Sequence, residues 1–374
     1  MPTALALEER TTAMVMLAEQ YDYVIGGDPD RDTIDLAVVD TATGGVGAHL
    51  ADIADAAGYS RMLAWAQRHA PTGRVWALEG TGSFAAGFAL FLAEAGEQIV
   101  EIGGVRRSRG GAKSDRIDAV RAAREALSRD QQASPRARGL REALRLVLTT
   151  RQAVLVSRTK AINELKSLIV VAPEHLRAGL RDYSLALQLD RIEHLHAPAQ
   201  ATVEHRVTIM TLRSIAARIR FLTQQTDELD PELTTLIAQH PAGPVLLAEP
   251  GVGPVVAAQL LISWSHRGRV RSEAAFAALA GTSPLQASSG QRVRRLLNRG
   301  GDRDLNRALH TVVITRLRCH PETRAYHTKC TAEGKTHREI RRSLKRTLAR
   351  RLYRRIQAAT RPPLPTPGPR DTQG

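Results

Sequence analysis

The sequence has 374 residues, which is long enough for two or three domains and a sizeable buried core. Its 53 lysines and arginines outnumber its 38 aspartates and glutamates, and the formal charge of +15 favours a polyanionic partner without distinguishing DNA, RNA or an anionic membrane. Two cysteines and no apolar run near the ~18 residues of a spanning helix exclude a disulfide scaffold and a membrane-spanning protein. The N-terminal segment carries acids and no basic region, so we expect no signal peptide and a cytoplasmic protein.

Residues 21–130 follow an N-terminal extension, residues 1–20, and alternate between short strands and helices. Strands are predicted at "YVIGGD", "DTIDLAVVD", "VGAHLADI", "RVWALEG" and "QIVEIG". Helices are predicted over residues 59–69, at "SFAAGFALFLAEAG" and in the segment that contains Asp115. Three leading strands followed by alternating helices and strands predict an α/β domain with a mixed sheet covered by helices.

Residues 131–240 are predicted to be dominated by two long helices. Apolar residues recur at helical spacing from residue 140 to about 169, and again from about 203 to 229. The stretch between them has the pattern of a broken connection. Since two long amphipathic helices more often pack as a pair or form an oligomer interface than carry chemistry, we predict a linker and oligomerisation segment.

The remaining chain is predicted to be mostly helical and strongly basic. It comprises a compact segment at 241–320, basic helices at 321–360 and a Pro-rich tail at 361–374, which we expect to be disordered. One cysteine–histidine cluster matches no common zinc spacing and is not assigned a metal: Cys319, His320, His327 and Cys330.

A glycine-rich turn, "PGVGP", lies between two apolar helical stretches at residues 250–254. Gly251 and Gly253 let backbone N–H groups approach a phosphate at the start of the next helix. The pattern resembles a helix-hairpin-helix, which binds nucleic-acid backbone without reading sequence. A plain turn between two helices fits this stretch equally well.

Four acids form the candidate metal site. Asp28 and Glu79 each end a predicted strand, and the ends of strands in open α/β sheets face the functional crevice. Asp115 and Asp118, three residues apart, share one helix face. Four converging carboxylates suit Mg²⁺, although an acid at a helix N-terminus also stabilises the helix by itself. Three further acids are assigned to turns and strand edges: Asp30, Asp32 and Asp35.

A small, polar loop near residue 289 contains the candidate nucleophile. A serine that attacks a phosphodiester needs an exposed hydroxyl, a route for its proton and cations around the phosphate. Ser289 precedes a glycine and is followed by a basic run, which meets the first and third needs. Ser288 cannot be separated from it on physical grounds, and such a loop is usually only a loop. The basic residues assigned to the phosphate are Arg292, Arg294, Arg295 and Arg299.

In order along the chain, "YVIGGD", "ALEGTG", "KSDRIDA", "EPGVGPVVAAQLL", "LAGTSP", "SSG" and "NRGGDRDLNRALH" resemble the transposases of insertion-sequence family one hundred and ten, which are bridge-RNA-guided recombinases. The resemblance spans residues 22–355 and departs mildly in "GGD", where an apolar residue is expected before the acid. It implies a DEDD domain of the RuvC and ribonuclease H kind, a long coiled-coil-like helical middle and a mostly helical serine transposase domain.

The resemblance also implies a function. Mg²⁺ would be held by Asp28, Glu79, Asp115 and Asp118, and Ser289 would attack DNA at a composite site formed across subunits. The expected partners are target and donor DNA, a guide (bridge) RNA and further copies of the chain in a homodimer or homotetramer, with no membrane. Two alternatives remain open: a RuvC-like metal-dependent nuclease or junction resolvase without a covalent intermediate, and a non-enzymatic nucleic-acid scaffold.

Overall fold

A computed structural model describes residues 16–103, 115–129, 132–283, 285–286, 295–296 and 300–361, with only the backbone of Asp115 and of the two short stretches near residues 285 and 295. The chain divides into two compact units, Met1–Ala137 and Arg138–Gly374. Each unit is described by itself below.

The first unit contains a five-stranded mixed sheet, as the sequence predicts. Its strands are β1 (Tyr23–Pro29), β2 (Thr33–Asp40), β3 (Val46–Ile53), β4 (Arg74–Glu79) and β5 (Ile99–Ile102). The spatial order is β3-β2-β1-β4-β5. β1 and β2, and β2 and β3, run antiparallel, whereas β4 runs parallel to both β1 and β5. The parallel pair therefore brings the carboxyl ends of β1 and β4 to the same edge of the sheet.

Helices cover both faces of this sheet. They are α1 (Leu17–Gln20), α2 (Ala56–His69), α3 (Ala86–Glu94) and α4 (Asp115–Ser128). On one face, Ile25, Trp76 and Phe88 belong to a core shared with α2 and α3. On the other face, Val24 and Ala77 belong to a separate core shared with α4. Successive strand residues alternate between the two cores, as the period of two in a strand requires.

Two glycines in β1 allow this double packing. A Cβ at Gly26 would overlap the carbonyl oxygen of Ala119 and lie 2.6 Å from the backbone nitrogen of Ala123, both in α4. On the opposite face, a Cβ at Gly27 would lie 2.6 Å from Leu78 Cδ2. Gly26 therefore lets the α4 backbone lie directly on β1, whereas Gly27 leaves room for Leu78 on the other face of the sheet.

A pair of long helices begins the second unit. They are α5 (Leu140–Val171) and α8 (Val203–Gln239), joined by the short helices α6 (Glu174–Ala178) and α7 (Leu185–Glu193). Leu165 and Ile219 are fully buried where α5 and α8 pack. α8 runs ten residues beyond its predicted end at about 229, because the helix continues through Pro231. The structure thus confirms the two long helices, and the broken connection predicted between them contains two short helices.

The rest of the second unit is a helical cluster. Its helices are α9 (Gly243–Leu247), α10 (Pro254–Trp264), α11 (Glu273–Leu279), α12 (Arg303–Cys319), α13 (Pro321–Ala332) and α14 (His337–Ala359), with a two-stranded ribbon of β6 (Leu285–Gln286) and β7 (Arg295–Leu296). Phe276, Leu309 and Leu352 are fully buried in one core, to which Leu144 of α5 also belongs. Within the part of the chain that the structure describes, no helix is long and apolar enough to cross a membrane.

Candidate functional site

Two predicted acids lie side by side at the carboxyl edge of the sheet. The parallel register of β1 and β4 pairs Gly27 with Leu78, so the next residues are Asp28 and Glu79. Both acids are half-buried. Because side chains alternate along a strand, both point to the face covered by α4.

Helix α4 adds a third carboxylate to this face. Ala119, whose carbonyl oxygen lies against Gly26, directly follows Asp118. The side chain of Asp118 is 14% exposed, and Arg121 Nη1 donates to its Oδ1 at 2.7 Å. The backbone of Asp115 begins the same helix one turn earlier, and its side chain lies outside the described residues. Three of the four predicted acids are thus brought to one end of one sheet face.

A further acid, Asp35, lies on the same face of the sheet. The sequence predicts it at a turn or strand edge, but it lies within β2, between β1 and β3, and its antiparallel partner is Asp28. Alternation puts Asp35 on the α4 face with Val39, and its side chain is half-buried. The signal that could have found it is its position between Ile34 and Leu36, two apolar residues of the core on the opposite face of the sheet.

Basic and imidazole groups border the same face. His49 of β3 is paired with Ala37 of β2, so its side chain also lies on the α4 side. Burial, and then the positive charge of Arg116 in α4, lower the pKa of His49 below its usual value. Both effects favour the neutral form of the His49 imidazole.

The chemistry of the donor set fits a hard divalent cation. Carboxylate oxygens are the ligands that Mg²⁺ prefers, and Asp28, Glu79 and Asp118 supply them from a partly buried edge. Among the described side chains, no three acidic, histidine or cysteine groups stand close enough to hold a metal ion as they are. The predicted set also includes Asp115, whose side chain lies outside the described residues.

The two glycines of the 250–254 turn differ in their surroundings. Gly251 has a φ of +79°, and a Cβ there would lie 3.3 Å from the carbonyl oxygen of Val312 in α12. Gly253 is exposed, a Cβ there would meet nothing within 4 Å, and it caps α10 without a side-chain hydrogen bond. Gly251 thus serves the packing of the turn, whereas Gly253 leaves the start of α10 open to a ligand.

Most of the predicted serine site lies outside the described residues. This applies to Ser288, Ser289, Arg292, Arg294 and Arg299, and only the backbone of Arg295 is described, in β7 opposite Gln286.

The base of the segment that contains these residues is described. A Cβ at Gly301 would lie 2.7 Å from both Gly281 Cα and the carbonyl oxygen of Leu279, and Asp302 N donates to that oxygen at 2.7 Å. The two ends of the segment are therefore held together.

A mixed sheet with helices on both faces and acids at the carboxyl ends of adjacent strands fits a ribonuclease H-like DEDD domain of a transposase. Residues 25–172 match the family model for the DEDD transposases of IS110, and residues 244–328 match the model described as transposase IS116/IS110/IS902 family. The two models match in the order that the motifs predict. The chain belongs to the IS110 family of transposases.

Two relatives come from bacterial insertion elements. The insertion element IS110 uncharacterized 43.6 kDa protein of Streptomyces coelicolor is 33% identical over 125 residues, which cover 33% of this chain and 31% of the relative. The insertion element IS900 uncharacterized 42 kDa protein of Mycobacterium paratuberculosis is 25% identical over 154 residues, or 41% of this chain and 37% of the relative. The matched stretches thus span about a third of each relative's length.

Proposed function

We propose that the protein is the transposase of a bacterial insertion sequence, which cuts and rejoins DNA under the guidance of a structured RNA. The observation that carries the proposal is the placement of Asp28, Glu79 and Asp118 on one face at the carboxyl edge of the sheet. The ordered match of two transposase family models supports it. The charge of +15 suits a protein that holds both DNA and RNA. Such a protein would work in the bacterial cytoplasm, on the nucleoid.

In this proposal the acids of the first unit and a serine of the second divide the work. Asp28, Glu79, Asp115 and Asp118 would hold Mg²⁺, which supplies Lewis-acid polarisation of the scissile phosphate. Ser289 Oγ would attack the phosphorus and form a phosphoserine bond as the bond to the leaving deoxyribose oxygen breaks. The serine proton leaves to a base and the departing oxygen takes up a proton. Reversal by a new DNA hydroxyl rejoins the strands without ATP.

The basic run after Ser289 would stabilise the charge that develops on the phosphate. Guanidinium groups match phosphate oxygens in geometry and stay ionised, so they suit this role better than ammonium groups. The residues assigned to it are Arg292, Arg294, Arg295 and Arg299.

A covalent intermediate distinguishes this mechanism from hydrolysis. Purified protein is mixed with target DNA, donor DNA, guide RNA and Mg²⁺, and the products are separated on a denaturing gel. We expect a protein–DNA band that Ser289→Ala abolishes and that the neighbouring control, Ser288→Ala, leaves in place.

Cleavage that survives Ser289→Ala without any covalent band would instead support a resolvase-like hydrolysis by the carboxylate site. The scaffold alternative predicts that the wild type and Asp118→Asn both bind DNA and RNA and that neither cleaves DNA or becomes linked to it. That result would overturn the proposal.

A further inference from the structure

One buried carboxylate in the second unit is surrounded by three arginines. The side chain of Glu249 is 3% exposed, and its oxygens lie 3.0 Å from Arg316 Nη2, 3.2 Å from Arg351 Nη2 and 3.1 Å from Arg355 Nε. A buried carboxylate is tolerated when it is paired, and one partner of opposite charge is enough to neutralise it. Three guanidinium groups leave a surplus of two positive charges at this place.

The surplus is exposed unevenly. The side chain of Arg316 is 8% exposed and its Nε also donates to the carbonyl oxygen of Pro250 at 2.7 Å, so it belongs to the packing. The side chains of Arg351 and Arg355, one turn apart on α14, are 42% and 53% exposed. Glu249 therefore fixes two guanidinium groups in place while leaving much of each open to solvent.

This cluster adjoins the 250–254 turn. Glu249 directly precedes Pro250, and the hydrogen bond from Arg316 ties that residue to α12. Beyond the turn, Gly253, Pro254 and Val255 are exposed at the start of α10, which has no side-chain cap. The amino end of a helix favours negative charge, as guanidinium groups do. Glu249, which holds the two exposed guanidinium groups, thus lies a few residues before the open start of α10, and both features attract an anion.

We propose that Arg351 and Arg355, held by Glu249 beside the 250–254 turn, contact the phosphate backbone of a nucleic-acid duplex. Phosphodiester groups match the two exposed guanidinium forks and the open helix end. The inference rests on the proposed function only in requiring that the chain bind nucleic acid. It assigns that binding to α14 and the 250–254 turn, and not to the predicted metal-binding acids or to the residues around Ser289.

The same helix provides a matched control. Arg350 and Arg354, also one turn apart, both pair with Glu273 of α11, with Arg354 Nε 3.1 Å from Glu273 Oε2. Their side chains are 44% and 70% exposed. This pair matches the first in helix, spacing, charge and exposure, but its carboxylate does not adjoin the glycine turn.

The test compares two double variants of the full chain, Arg351→Gln with Arg355→Gln and Arg350→Gln with Arg354→Gln. Their affinities for a fluorescent DNA duplex and for an RNA duplex of the same sequence are measured by anisotropy over a series of KCl concentrations. For the Arg351 and Arg355 pair we expect affinity to fall by roughly tenfold and the slope of log affinity against log salt to fall by about 2. The duplex whose binding falls identifies the source of the phosphates.

The control pair should change the slope much less. A third variant with Arg351→Lys and Arg355→Lys keeps both charges and should restore most of the slope, which separates lost charge from lost folding. Equal losses in the two Gln pairs, or no recovery with lysine, would overturn the inference and leave the proposed function standing. A wild type that binds neither duplex would overturn both.

Discussion

Gly26 is the residue on which the geometry of the acid edge depends most directly. Its missing side chain lets the α4 backbone lie against β1, and Ala119, which makes this contact, directly follows Asp118. Any side chain at this position would push α4 away from the sheet, because a backbone carbonyl cannot give way as a flexible side chain can. The glycine is therefore a positioning residue for the carboxylates.

We expect Gly26→Ala to lower the free energy of unfolding by about 1–3 kcal/mol, because overpacking a filled interface strains both elements. Gly47→Ala is the matched control, since Gly47 lies exposed in β3 of the same sheet and a Cβ there meets nothing within 4 Å. Thermal and denaturant unfolding of both variants measure the difference. Equal stabilities would show that α4 does not rest on Gly26.

The two glycines of the 250–254 turn are expected to have different roles, Gly251 in stability and Gly253 in ligand binding. We expect Gly251→Ala to cost about 1 kcal/mol of stability, because its φ of +79° is unfavourable for any residue with a Cβ. Gly253→Ala should leave stability unchanged and weaken duplex binding, because its Cβ would stand where a phosphate approaches. Denaturant unfolding and anisotropy on the two variants test the pair. Binding unchanged in Gly253→Ala would support the plain turn between two helices.

Gly281 and Gly301 lie in close contact on either side of the residues that contain the proposed serine site. We expect Gly301→Ala to reduce the yield of covalent protein–DNA product by at least tenfold, because a Cβ at Gly301 would overlap the backbone of Gly281 and Leu279 next to that site. Gly179→Ala is the control in the same unit, because a Cβ there would make only ordinary contacts, the nearest at 3.6 Å. A normal yield from Gly301→Ala would separate the serine chemistry from this contact.

Periodicity predicted the elements well and their three-dimensional contacts poorly. β3 begins and ends at the residues of "VGAHLADI", the weaker strand that the sequence predicts. α8 continues past its predicted end although a proline disfavours a helix interior, and the residues after Pro231 are buried: Leu233 and Ile237 belong to the core that includes Leu144 of α5.

The sequence likewise predicted some features of the candidate sites and missed others. Asp28 and Glu79 could be placed at strand ends from local pattern alone. The position of Asp35 opposite Asp28 depends on the register between β1 and β2. The pairing of Glu249 depends on residues about 70 to 100 positions away in the sequence, Arg316, Arg351 and Arg355. Contacts so distant in sequence leave no periodic trace, so the cluster around Glu249 could not be predicted from the chain, whereas the face on which Asp35 lies could have been found from the pattern of its strand.

In the assembled protein, we expect two inactive variants with different defects to complement each other. If the acid site of one subunit works with the serine of another, a mixture of Asp118→Asn and Ser289→Ala chains contains dimers with one intact composite site. Random pairing then gives about a quarter of the wild-type number of sites. Recombination should return when the two proteins are mixed before assembly, although each is inactive alone. No recovery would place both groups within one chain.

The most direct test of the account is the Mg²⁺ dependence of DNA strand cleavage in Asp118→Asn and in its control, Glu125→Gln. Both residues lie on α4 and each pairs with an arginine, Arg121 for Asp118 and Arg129 for Glu125. We expect Asp118→Asn to lower the cleavage rate by roughly a hundredfold or more, since a site that stabilises developing charge loses that much with one group. Glu125→Gln should cleave like the wild type. Wild-type cleavage by Asp118→Asn at limiting Mg²⁺ would contradict a carboxylate active site at this edge of the sheet.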